Sequence, residues 1–94
     1  DMETRTIAGE LTIYTAANEK QTLQDALEST EELEVNLSQV SEMDSAGLQV
    51  LIALKQEAAR RKKKLHYSMH SKAVLEILEM SNMTASFGDQ IVLT

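Results

Sequence analysis

The spacing of apolar residues changes period along the chain, and that change constrains the fold more than any other feature. Glu10-Leu11-Thr12-Ile13-Tyr14 alternates with a period of two and carries β-branched and aromatic side chains, which predicts a strand after Gly9. Leu23, Ala26 and Leu27 then share one helical face. Asn18 with Gln21 three residues on makes a capping box, so this first helix is expected to end near Ser29. Leu33, Val35 and Leu37 return to alternation, a loop follows from Gln39 to Asp44, and from about Ser45 to Arg61 the spacing is helical again. Leu48, Val50, Leu51, Ile52, Ala53 and Leu54 nearly encircle the first half of that helix, so its start is expected to be deeply packed. Leu65, Tyr67 and Met69 alternate across a third strand. Ser71 can cap a helix that carries Val74, Leu75, Ile77 and Leu78 and ends at Asn82, and Gln90 to Leu93 reads as a short last strand after Gly88.

Strand and helix in strict alternation predict βαβ crossovers with parallel pairing. Glu34, Asn36 and Ser38 interleave with the apolar residues of the second strand, so one face of the sheet is expected to meet water or a partner. The expected fold is a single α/β domain over residues 1–94, with a mixed, mostly parallel sheet of about four to five strands and helices on one face.

Composition narrows the function classes. Tyr14, Tyr67 and Phe87 are the only aromatic residues, so aliphatic side chains must fill the core. A net charge of −6 opposes general binding to nucleic acid, which depends on Lys and Arg displacing counterions. The charge is also lopsided: Gln21 to Leu54 holds Asp25, Glu28, Glu31, Glu32, Glu34, Glu42 and Asp44 without a cation, whereas Arg60 to Lys64 is wholly basic. Cations at the end of a long helix complement its carbonyl dipoles, so the basic run needs no ligand. The absence of cysteine removes thiolate chemistry and disulfides and fits a cytoplasmic setting. Val50 to Leu54 is the longest apolar run, too short to cross a bilayer, and no membrane insertion is expected.

Catalytic, metal and cofactor chemistry finds little footing, and no enzyme activity is expected. His66 and His70 on one strand would stand on the order of 13 Å apart, too far to share an ion. Gly9, Gly47 and Gly88 are too scattered for a phosphate loop. A receiver domain would need paired acids at the end of the first strand to hold Mg²⁺, where this chain has Tyr14-Thr15-Ala16.

The strongest local signal is Val40-Ser41-Glu42-Met43-Asp44-Ser45-Ala46-Gly47-Leu48, at a strand-to-helix junction. Asp and Ser are both favoured N-caps, and Gly47 would let the first helical turn pack closely against the sheet. On these residues alone, an ordinary cap accounts for the turn as well as a functional site does. The segment resembles the STAS family of bacterial anti-sigma factor antagonists, which carries Asp-Ser-(Ser/Ala)-Gly-Leu at this junction. The resemblance extends through Gly9-Glu10-Leu11, Leu33 to Leu37, Leu65 and His70 to Leu78. It implies that Ser45 is the site phosphorylated by a partner kinase, with Asp44 and Gly47 as its motif neighbours. It also implies that the unphosphorylated form binds a protein partner through Ser41, Glu42, Asp44, Ser45, Ala46 and Gly47. That partner would be an anti-sigma factor or serine kinase, or a chemotaxis signalling protein, since Leu11 to Ala17 and Phe87-Gly88-Asp89 look most like short STAS proteins of chemotaxis gene clusters. Asn36 departs from the family, which often has Asp there. An alternative within the family is a constitutive subunit of a lipid-transport ATPase complex, where Ser45 serves only as a cap. Self-association through the open sheet face is left open.

Overall fold

Two strands precede each of the first two helices and one strand precedes the third in the computed structural model, which describes residues 2–81. In chain order the elements are β1 (Met2–Thr6), β2 (Gly9–Leu11), α1 (Ala16–Glu28), β3 (Glu32–Asn36), β4 (Val40–Met43), α2 (Ser45–Arg60), β5 (Lys64–Ser68) and α3 (Lys72–Met80). The α/β class holds, but the strands divide into a three-stranded sheet, β1-β3-β5, and a separate pair, β2-β4. All of these pairings are parallel. The last strand expected at Gln90 to Leu93 lies outside the described residues.

Alternation on β3 and β5 sorts side chains as expected. Leu33, Val35, Leu65 and Tyr67 are buried beneath the helices, while Glu32, Glu34, Asn36, His66 and Ser68 line the opposite face only partly covered. Register places Glu32 opposite Lys64 and Glu34 opposite His66. The polar face is cross-linked by its own side chains: His66 meets Glu32 at 3.1 Å and the Ser68 hydroxyl donates to Glu34 at 2.8 Å.

Helix α2 forms the centre of the core. Leu48, Val50, Leu51, Leu54 and Ala58 are all buried on it, and burying each large aliphatic contributes about 1.5–3 kcal/mol. Tyr67 carries its hydroxyl into this apolar layer and donates to the Leu51 carbonyl at 2.7 Å. Burial pushes its phenol well above the ordinary range, so it remains a neutral donor.

Several local expectations are corrected. Two strands escaped the periodic reading, β1 and β4, the latter inside the stretch expected to be loop. Strand β2 stops at Leu11 instead of Tyr14, and α1 begins at Ala16 with Thr15 at its N-cap. The Asn18 capping box does not form: Asn18 lies exposed within α1, and the Gln21 amide donates to Asp25 one turn later. The basic run is largely absorbed by structure. Arg61 pairs with Glu57 at 2.8 Å, and the Lys63 ammonium donates to the carbonyls of Leu27 and Glu28 at 2.7 and 3.0 Å, closing the C-terminal end of α1.

Candidate functional site

The mouth of α2 is built around one carboxylate. Asp44 has extended backbone as the N-cap, and its Oδ1 accepts the Gly47 amide at 3.0 Å. Its Oδ2 accepts the Ile13 amide, also at 3.0 Å, and so ties the β2–α1 turn to the helix. These two amides, Ile13 first, hold the Asp44 carboxyl below the usual carboxylate range against a smaller opposing effect of desolvation. The side chain is thus a fixed negative charge that both caps α2 and anchors its neighbour.

Ser45 is the first residue of α2, and it is exposed. Gly47, two residues on, is buried against β2: a Cβ there would stand 2.0 Å from the Leu11 carbonyl oxygen. Only a residue without a side chain lets the first turn of α2 approach the strand this closely. Of the six residues assigned to partner binding, Ser41, Glu42 and Ser45 are exposed, Asp44 and Ala46 are partly covered, and Gly47 is enclosed. Gly47 therefore shapes the turn and does not present a contact.

Two residues that the periodic reading had assigned to a strand lie on this surface. Ile13 is 69% exposed and Tyr14 89% exposed. The strand ends because threonine hydroxyls compete for its backbone amides: Thr15 Oγ1 accepts from the Thr12 amide at 3.0 Å, and Thr12 Oγ1 accepts from the Tyr14 amide at 3.3 Å. The Thr12 carbonyl then receives the amides of Thr15 and Ala16, opening α1. The Thr-x-x-Thr spacing was the available signal for this turn.

Beside the turn, Ser41, Glu42 and Met43 of β4 face Ala73, Glu76, Ile77 and Met80 of α3 across a shallow groove of mixed acidic and apolar lining. The arrangement offers contact chemistry: an exposed serine at a helix mouth, flanking carboxylates and adjacent apolar side chains. Among the described residues, no three His, Asp or Glu side chains converge as metal ligands would.

The fold agrees with comparison to known proteins. The family model described as "Mlab, STAS domain" matches residues 5–93, and the chain belongs to the STAS domain family. A search of curated proteins found no match. Among solved structures, the chain is similar to a sulfate transporter family protein from Wolinella succinogenes, with a TM-score of 0.72, 20% identity, and coverage of 97% of this chain and 75% of that one. It is also similar to the STAS domain of a SulP transporter from Vibrio cholerae, with a TM-score of 0.67, 23% identity, and coverage of 97% and 71%. At these identities the likeness speaks for the fold. No helix among the described residues is long and apolar enough to cross a membrane.

Proposed function

We propose that this chain is a protein-binding regulator that docks through the mouth of α2 and is released when Ser45 is phosphorylated. The observation that carries the reading is the exposed Ser45 at the first position of α2, next to the Asp44 carboxylate that also holds Ile13. A phosphate there would add about −1.5 to −2 charges. The helix dipole favours it by ~0.3–1 kcal/mol, so the fold tolerates the modification. Docking is affected differently. A hydrated dianion placed beside the existing Asp44 charge must be desolvated or accommodated by the partner, at a cost of several kcal/mol. The partner is an anti-sigma factor or serine kinase, or a chemotaxis signalling protein, and the complex operates in the cytoplasm without nucleic acid or cofactor.

A second reading is supported by the transporter origin of the two similar structures. In it the chain is a constitutive subunit of a lipid-transport ATPase complex, and Ser45 only begins the helix. The two readings differ in whether the charge at Ser45 changes.

Affinity capture from native cells, with mass spectrometry of the partner and of this chain, separates them. A signalling partner recovered only with unphosphorylated chain supports the switch. Stable recovery with an ATPase and no phosphorylated Ser45 supports the second reading.

A further inference from the structure

Ile13 and Tyr14 are adjacent, large and turned to solvent, whereas the other large exposed apolar residues among those described, Met2, Met69, Leu75 and Met80, have no such neighbour in sequence. The turn that presents them is firmly held. Thr12 and Thr15 bond each other, the Thr15 hydroxyl donates to the Glu10 carbonyl at 3.0 Å, and Asp44 takes the Ile13 amide. With the backbone of the turn already held, only the two side chains remain to be ordered on binding, which lowers the cost of using them as an interface hot spot.

The charges around this pair specify its complement. Glu10 and Glu42 are register partners on the β2–β4 ladder. Carboxylates at paired positions on neighbouring strands favour a partner cation placed over them. The Thr12 hydroxyl donates to Glu10 at 2.8 Å, while Glu42 remains exposed. The sequence offers no neutralising Lys or Arg between Gln21 and Leu54. Glu10 and Glu42 stand on β2 and β4, whereas Ser45 begins α2.

We propose that Ile13 and Tyr14 are the apolar anchor by which the chain grips its partner, that Asp44 positions them, and that the partner is a protein offering an apolar cleft rimmed by Lys or Arg. The inference rests on the reading of the Ser45 turn as a docking surface, and the experiment separates the two.

A photo-crosslinking phenylalanine is placed in the full chain at position 14, at position 45, or at position 62 beyond the far end of α2, and the captured protein is identified and purified. Positions 14 and 45 capture the same protein and position 62 does not. Against that protein, Ile13→Ser and Tyr14→Ser weaken binding about 10- to 100-fold, while Leu75→Ser changes it less than about twofold. Asp44→Ala weakens binding about tenfold, and its loss combined with Tyr14→Ser is less than additive, a coupling that a purely structural role would not produce. Affinity falls as salt rises from about 50 to about 500 mM.

Capture from position 45 with full affinity in both serine variants overturns the anchor and leaves the docking reading standing. Capture from neither position overturns both. Strict additivity of Asp44 and Tyr14 removes the positioning role, and salt-independent affinity removes the cationic rim.

Discussion

The Gly47 α-carbon approaches the Leu11 carbonyl so closely that a methyl group on it would stand 2.0 Å from the oxygen. The obstructing atom is backbone on β2, which cannot rotate aside as a side chain could. Gly47→Ala is therefore expected to push α2 from the β2–β4 pair and destabilise the domain by about 1–3 kcal/mol or more. Urea unfolding measures this, with Ala46→Gly as a comparison that adds no bulk.

Asp44 gives the domain a share of its acid sensitivity. Its carboxyl is held below the usual range in the folded chain, so its stabilisation is fully present above the ordinary Asp value near 3.8 and is lost as pH falls through the lower folded value. Asp44→Ala is expected to be less stable than the parent at neutral pH, with the difference shrinking below about pH 4. Thermal melts across that range would show the convergence. A constant gap would assign the loss to packing instead of to the ionised cap.

Tyr67 places one hydroxyl in an otherwise aliphatic layer. Tyr67→Phe preserves the ring and removes only the bond to Leu51, so a loss of about 1 kcal/mol is expected, without change of fold. Chemical denaturation reads the difference.

Lys63 tests whether the basic run is structural. Its ammonium reaches two carbonyls at the end of α1, and Lys63→Met keeps the aliphatic stem while removing the donors. A loss of about 1 kcal/mol is expected, whereas Lys62→Met leaves stability within about 0.5 kcal/mol.

The legible and hidden parts of the molecule differ in where their stabilisation comes from. Leu33, Val35, Leu65 and Tyr67 were readable because each strand buries one face, and α2 because its apolar residues nearly encircle it. β1 was not readable: its side chains are exposed except for the partly covered Glu3, and it joins the sheet through backbone pairing with β3. β4 hid for a similar reason, since Ser41 and Glu42 stand exposed between Val40 and Met43. At the site, Asp44 to Gly47 are contiguous and could be recognised as a cap. Ile13 and Tyr14 could not be joined to them, because the link is one hydrogen bond across 31 residues and their β-branched and aromatic character looks like a strand. Local hydroxyl competition from Thr12 and Thr15 outweighed that preference.

The most direct test is the affinity of the captured partner for chain carrying phosphoserine at position 45, compared with unmodified chain, alongside the melting temperature of each. The account predicts binding at least about tenfold weaker with an unchanged melt. Equal affinity in the two forms would contradict it.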